Sequence, residues 1–442
     1  MKRFGDVSRP LAASASPFAS RLAVTSVLAL LAGAQPASAA GFYIKEQSVT
    51  GLGRAFAGES AMAEDASTIF FNPAGMTRLQ GPEATAGAHL LVPRADLENR
   101  GSSASVRTPA GAVTRPIGGS DGGNPYDPTP VPNAYFAYPL MDRDLWVGLG
   151  VSAPFGLANK YNADWFGRYD SIETDLLTID IAPSVAYKVL DWVSIGGGID
   201  IQYADAKLTN AIFAGTGPDI ISNVEGDDWA VGYNVGILFE PLPTTRVGIH
   251  YRSKIDHTLE GDVKLNRAGT SLSNLPGSAD LDLPDIIAVG FAHDVTPALT
   301  VMAEYNWYGW SSFKEIRVKR SGLADQVVTQ NYQDTFSVAL GAQYKVDDAW
   351  TVRGGFQYDE TPTVDGFRST RTPDGDRYWL SAGLSYDVSD SFTVDVAYTH
   401  VFIDDADVNT SQTGAAAALS TNTRAMSEGS VDIFAAALRY KF

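Results

Sequence analysis

From residue 83 onward, apolar and polar positions alternate along the chain. Between residues 299 and 308, Leu299, Val301, Ala303, Tyr305 and Trp307 share one parity, while Thr300, Glu304, Asn306 and Tyr308 share the other. Alternation over that length defines a strand with one greasy and one wet face. Val193, Ile195, Ile199, Ile201 and Tyr203 divide in the same way from Ser194, Gly196, Gly198, Asp200 and Gln202, and the split recurs around Val231, Phe336, Trp350 and Phe392. Fourteen such segments begin near Glu83, Pro132, Asp144, Asp175, Asp191, Asp227, Thr245, Leu283, Ala298, Tyr332, Ala349, Arg377, Ser391 and Gly429. Short connections at 141–143, 241–243 and 346–348 exchange with long ones at 96–131 and 404–427. The pattern predicts an all-β membrane protein, a 14-stranded antiparallel transmembrane β-barrel with tight periplasmic turns and long outer loops.

The last strand supports this placement. Phe434, Leu438, Tyr440 and the terminal Phe442 lie on one parity, an ending that suits recognition by the barrel-assembly machinery. An exported soluble sandwich or propeller would also alternate. It has no reason to keep an apolar band on every strand or to end on phenylalanine.

The first 39 residues read as a cleaved signal peptide, with Lys2, Arg3, Arg9 and Arg21 ahead of or flanking an apolar stretch at 22–34, and Ala37-Ser38-Ala39 offering a cleavage site. That stretch is too short to cross a bilayer as a helix. Cleavage after Ala40 is the alternative. Processing at Ala39 leaves 29 basic and 50 acidic residues, a formal charge of −21, which argues against a nucleic-acid partner. The chain has no cysteine, so disulfides, thiolate metal sites and a cysteine nucleophile are excluded.

Residues 40–82 do not alternate. They are rich in Gly and Ala, with a brief helical stretch expected at 61–66, and a segment this long must be accommodated somewhere. The inward parities are unusually small, with Gly148, Gly150, Gly196, Gly198, Gly232, Gly236, Gly341, Gly355 and Gly383, which leaves lumen space for an N-terminal plug.

Gly41-Phe42, Glu46-Gln47-Ser48-Val49-Thr50-Gly51-Leu52-Gly53-Arg54-Ala55-Phe56-Ala57-Gly58-Glu59, Glu64-Asp65-Ala66-Ser67 and Asn72-Pro73-Ala74-Gly75-Met76 resemble the hatch of the FadL-type transporters of long-chain fatty acids and related hydrocarbons. The resemblance continues at Pro154-Phe155-Gly156-Leu157 and Trp165-Phe166-Gly167-Arg168-Tyr169. It implies a hatch at 40–82 inside a barrel at 83–442 in the Gram-negative outer membrane. It also implies that a hydrophobic small molecule is captured at outer loops, passes to a hatch-bounded pocket, and leaves sideways at a kinked third strand. Under the same resemblance Phe42 reaches the pocket and Asn72, Pro73 and Ala74 mark the hatch element at the lateral opening.

On the third strand, Gly148, Gly150 and Pro154 are the candidates for the kink. Phe155, Leu157, Trp165 and Phe166 fall in the second outer loop, either as an exposed capture groove or as interfacial anchors. A fatty acid needs a cation for its head, because burial of a bare carboxylate is costly. Parity puts Arg252, Lys254 and Arg353 on inward faces, and Lys45 and Arg54 lie in the hatch; these either meet a carboxylate or pair with the inward acids Asp200, Glu304 and Asp395 to hold the plug. Acidic runs at Asp374-Gly375-Asp376 and Asp404-Asp405-Ala406-Asp407 read as solvated loop charge or as cation-bridged contact with lipopolysaccharide, and no metal or cofactor is expected.

Rival functions fit less well. An outer-membrane phospholipase needs a serine and histidine set together, yet parity places only His250 inward, with His89, His257, His293 and His400 outward or at strand ends; no enzyme is expected. A general diffusion porin would line its lumen with charge and would lack the hatch. The cargo stays open between long-chain fatty acids and monoaromatic hydrocarbons, and the expected assembly is a monomer.

Overall fold

The computed structural model describes residues 41–442 except Leu323, so the predicted signal peptide lies outside the described residues. Fourteen spanning strands follow one another around a closed antiparallel barrel. The first, Glu83–Asn99, pairs along its whole length with the last, Leu419–Lys441. Closure leaves no unpaired edge, which is the condition for strands to live in lipid. The outward parity carries Leu90, Phe136, Ile199, Val235, Phe291 and Leu340, all exposed. Aromatic side chains pair near both rims, as in Trp350 with Tyr386 at 4.4 Å and Tyr358 with Tyr378 at 5.5 Å between centroids. These are the two interfacial girdles.

Five strands are interrupted. The third runs Leu145–Ser152 and resumes at Gly156–Lys160. The seventh breaks between Thr245–Arg252 and Ile255–Arg267, the eighth between Thr270–Leu283 and Ile286–Asp294, the ninth between Leu299–Tyr308 and Glu315–Arg320, and the tenth between Gln326–Thr329 and Thr335–Lys345.

The expected loop at 404–427 is mostly strand. Pairing continues from Ala406↔Ser427 to Thr413↔Ser420, so the last two strands rise as a hairpin above the membrane. Its inward positions, such as Val408, Thr423 and Ala425, are buried, but neither face meets lipid, and the apolar parity that marks a spanning strand is missing. The 96–131 connection likewise contains a hairpin, Ser103–Thr108 with Gly111–Pro116, laid against the last strand.

Residues 41–82 fill the lumen. They form three one-turn helices, Val49–Leu52, Glu59–Met62 and Thr68–Phe71, and a 3-10 turn, Pro73–Arg78. The helix expected at 61–66 instead ends at Met62, because Ala63 takes a left-handed conformation at φ 47°. Helices this short are not stable alone. Packing holds them, with Leu52, Phe56, Ile69 and Met76 fully buried.

The wall makes room where these turns touch it. A β-carbon on Gly53 would come within 2.8 Å of the Gly383 Cα, and one on Gly341 within 2.9 Å of the Arg54 carbonyl. At Gly196, Gly236 and Gly355 a β-carbon would overlap Ala74, Asn72 and Arg54. Gly148 and Gly150, expected to kink the third strand, lie in its regular part and seat Met76 and Ile69. Gly198 and Gly232 face inward onto wall side chains instead, beside Ser184 and Ser253.

Gly355→Val should therefore displace the hatch without opening the barrel. The expected result is a loss of about 1–3 kcal/mol, the range for overpacking, read as a lower denaturant midpoint in micelles, with the heat-modifiable band of a closed barrel retained.

Candidate functional site

The third strand pairs with the fourth as far as Ser152↔Asp180 and again from Gly156↔Leu177. Pro154 lies in the gap and has no N–H to continue the ladder. The start of the hatch fills the break like a short strand. The Ile44 N–H donates to the Pro154 carbonyl (2.8 Å) and the Gly156 N–H donates to the Phe42 carbonyl (2.9 Å), bridging Tyr43 to Phe155. Gln47 Nε2 donates to the Ala153 carbonyl (2.9 Å), and the Tyr135 hydroxyl donates to the Gln47 carbonyl (2.9 Å). Residues 41–47 thus form a strap that seals the wall.

On the outer side of the strap is a narrow slot of about 70 Å³, lined by Phe42, Leu157, Leu176, Leu259, Phe313 and Tyr332. The Phe42 ring meets Trp310 edge-on at 4.7 Å and Phe313 at 5.2 Å. Half-exposed Asp175 and Asp280 border the slot, the latter paired with Lys319 at 2.7 Å.

Besides the hydroxyls of Thr174, Tyr332 and Thr372, Arg371 and Gln330 bring nitrogen donors to its lining. Arg371 is buried, and its guanidinium donates to Thr174 Oγ1 (2.8 Å), the Asp170 carbonyl (3.0 Å), Ser171 Oγ (3.3 Å) and the Glu173 carbonyl (3.3 Å). All four acceptors are uncharged. Gln330 Nε2 is buried with no protein partner.

Arg371 belongs to the connection between the eleventh and twelfth strands, which folds into the barrel mouth and buries Thr361, Thr363, Ser369, Thr370 and Asp374. Asp374 ties this loop to the strap. Its Oδ2 accepts from the Gly41 N–H (3.1 Å) and from Thr361 Oγ1 (2.8 Å), while its Oδ1 accepts from Arg377 Nη2 (2.6 Å). The expectation of solvated loop charge therefore fails at Asp374. Sequence reading missed both Arg371 and Asp374, since no parity rule applies to a loop that turns inward.

The expected cations separate into pairs. Arg54 binds Glu59 (2.6 Å) and Glu64 (3.1 Å) within the hatch, and Glu64 also binds the wall's Arg353. Arg252 pairs with Asp200 (2.9 Å) and Asp180 (3.2 Å) and covers the Phe70 ring at 4.4 Å. Asp395 pairs with Arg439 (2.7 Å), and Glu304 accepts from the Ser60 N–H (3.3 Å). Lys45 Nζ donates to Gln357 (2.8 Å) and Ser337 (3.2 Å).

Lys254 is not inward. It is 59% exposed and pairs with Asp256, because Arg252 and Ser253 are both buried and the strand break between Arg252 and Ile255 shifts the parity by one. His89 and His257, expected outward or at strand ends, are inward and buried, beside Asn133 and Gln202.

Phe155, Leu157, Trp165 and Phe166 are all buried rather than exposed. Leu157 lines the slot, Phe155 packs on Tyr43 at 5.3 Å, and Trp165 stacks on Tyr161 at 3.8 Å with Phe166 alongside in a separate loop core. Asn72 caps the turn at Pro73–Arg78 by accepting from the Ala74 N–H (3.1 Å), and donates to the carbonyls of Ser60 (2.8 Å) and, on the sixth strand, Ile237 (3.1 Å). Pro73 and Ala74 lie against Gly196 of the fifth strand.

Burial works against ionisation of Glu64, but Arg353 and Arg54 outweigh it and hold the carboxyl at about 2. Burial without a partner charge in contact pushes Glu46, in the strap, up to about 7.

A closed barrel with an apolar outer band, an internal plug and a greasy slot behind a sealed wall break defines an outer-membrane transport protein for apolar cargo. The chain belongs to the outer membrane protein transport protein family (OMPP1/FadL/TodX), whose profile matches residues 30–442. It is 31% identical over 405 residues to the long-chain fatty acid transport protein of Escherichia coli O6:H1, covering 82% of this chain and 86% of that one. It is 32% identical over 408 residues to the 47 kDa outer membrane protein of Pasteurella multocida, covering 86% and 90%. A Pseudomonas aeruginosa FadL homologue superposes with a TM-score of 0.83 at 25% identity over 91% of this chain and 100% of that one. The Pseudomonas putida toluene transporter TodX shares the fold, with a TM-score of 0.65 at 15% identity over 91% and 99%.

The strap should loosen with rising pH. A carboxyl raised from 4.5 to about 7 on folding contributes stability that is full below the unfolded value and is lost as pH rises through the folded one. Amides of residues 42–47, compared by hydrogen exchange corrected for intrinsic rates, should be less protected at pH 8 than at pH 6, and Glu46→Gln should flatten the difference. Equal protection at both pH values in the native chain would refute it.

Proposed function

We propose that this protein carries long-chain fatty acids across the outer membrane, with Arg371 receiving the carboxylate. The reading rests on one observation: the mainly apolar slot beside Phe42, bordered by Asp175 and Asp280, is lined by a buried guanidinium whose hydrogen-bond acceptors are all uncharged and by an unpartnered amide donor. A tail of about 16 carbons gains at most about 12 kcal/mol on burial, at roughly 0.8 kcal/mol per methylene. The head resists leaving water unless it meets a charge-assisted donor, and arginine offers a planar pair of them. The tail supplies affinity and Arg371 selects the head.

The remaining steps follow from the strap. The slot is too small for a long tail while Phe42 projects into it, so filling it displaces Phe42, strains the Asp374 tie to Gly41, and withdraws Tyr43 and Ile44 from the break at Pro154. The cargo then leaves sideways into lipid. An oily molecule has no cause to cross a wet lumen. Export by cleavage after Ala39, insertion by the barrel-assembly machinery through Phe442, packing of the outer rim against lipopolysaccharide, and action as a monomer complete the reading; the first strand's full pairing with the last means that closure needs no second copy.

Uptake of monoaromatic hydrocarbons is the second reading, favoured by the ring cluster of Phe42, Trp310, Phe313 and Tyr332. Labelled oleate and toluene uptake in a deletion strain separates the two. Arg371→Ala should weaken oleate binding by about 2 kcal/mol, roughly thirtyfold, and leave toluene uptake unchanged. Loss of toluene uptake with oleate untouched would move the cargo to aromatics.

A further inference from the structure

A column of polar side chains runs down one side of the lumen beneath the strap. Asn306, Ser337 and Asp359 face inward side by side in register, and one layer closer to the periplasm stand Glu304 and Gln357. Lys45 reaches into this column through Ser337 and Gln357, and the Ser60 N–H of the hatch donates to Glu304. Gln357 Nε2 and Asp359 Oδ1 are buried without a protein partner. Polar atoms left in this state call for water.

A polar space opens at the periplasmic end. It is a cavity of about 390 Å³, lined by Met62, Arg246, Asp294, Thr300, Gln343 and Lys345. Arg246 Nε and Gln343 Oε1 are again buried without a protein partner. Between the polar column and this cavity lies one apolar layer, formed by Met62 and Ala61 of the hatch with Met302 and Ala292 of the wall. Met302 sits on the inward face between Thr300 of the cavity and Glu304 of the column, and the Met62 sulfur lies 3.8 Å from Arg246 Nη2.

We propose that the polar column and the cavity form a second, axial pathway, which passes water and small monovalent cations between the underside of the strap and the periplasm. Its inner gate is the Met62–Met302 layer and its outer gate is the strap. Methionine has an unbranched side chain with three rotors and a soft sulfur, so the layer yields without breaking hydrogen bonds, and an apolar constriction between wet spaces closes by shedding water. Along the column Glu304 and Asp359 face Lys45, while Arg377, the register neighbour of Asp359, is held by Asp374, a balance that favours cations. This route shares the strap with the hydrophobic one but ends in the periplasm rather than in lipid.

Two experiments on the intact chain test the pathway. In planar bilayers with potassium chloride, Asp374→Ala frees the strap and Met302→Gly removes half the inner gate. Only the double variant should carry sustained current, with a cation-selective reversal potential in a salt gradient. A double variant no more conductive than Asp374→Ala alone, while still running as a heat-modifiable barrel, would overturn the proposal, as would anion selectivity. The second test does not need the strap to open. The protein has no cysteine, so Ser337→Cys places a single thiol above the inner gate. A small cationic methanethiosulfonate reagent should modify it faster, by at least an order of magnitude, when Met302 is glycine, and equal rates in the two backgrounds would refute the gate.

Discussion

A barrel of fourteen strands is wider than its own inward side chains can fill, and most of this structure answers that constraint. The hatch occupies the excess volume, and the wall is thinned to glycine wherever the hatch backbone must come close. The main chain of Gly53 against Gly383, and that of Arg54 against Gly341 and Gly355, allows an approach that any side chain would prevent. Filling a lumen with chain also buries charge. Glu59 and Glu64 around Arg54, Glu64 again on Arg353, and Arg252 between Asp180 and Asp200 keep these ions paired. Such pairs add little net stability over apolar packing, but they penalise any other seating of the plug, because a displaced partner leaves its mate buried and alone.

The hatch is therefore held in two different ways. Its body, from Ser48 onward, is pinned by ion pairs and glycine seats. The strap is held by backbone hydrogen bonds to the third strand, by Lys45, and by Asp374 in a loop that descends from outside. Movement of the strap need not disturb the body, and the buried carboxyl of Glu46 weakens the strap as pH rises through about 7.

The barrel was legible because lipid imposes the same rule on every spanning residue. The fourteen strands come in the expected order, and the expected inward glycines do lie inward. The rule fails where lipid no longer judges the sequence. Lys254 was misplaced by a break that shifts parity by one residue, and His257 lies just beyond that same break. The hairpin above the membrane, from Ala406 to Ser427, has no apolar face to betray it. Arg371 and Asp374 sit in a stretch of threonine, arginine and aspartate that reads as surface, and only the fold shows that it turns inward. The expected pairing of inward cations with inward acids holds for Arg252 with Asp200, but Arg353 takes its acid from the hatch.

The seal at Pro154 uses the same hydrogen bonds that join the strands. While the strap is in place the wall is complete, though one piece of it is borrowed from the plug. Were the strap to leave, the Gly156 N–H and the Pro154 carbonyl would face hydrocarbon with nothing to bond, a cost of several kcal/mol per group. Such an opening would be self-closing, its lifetime set by unsatisfied backbone rather than by the oiliness of what passes. A wall built in this way stays shut while the slot is empty, and the membrane around it keeps its barrier.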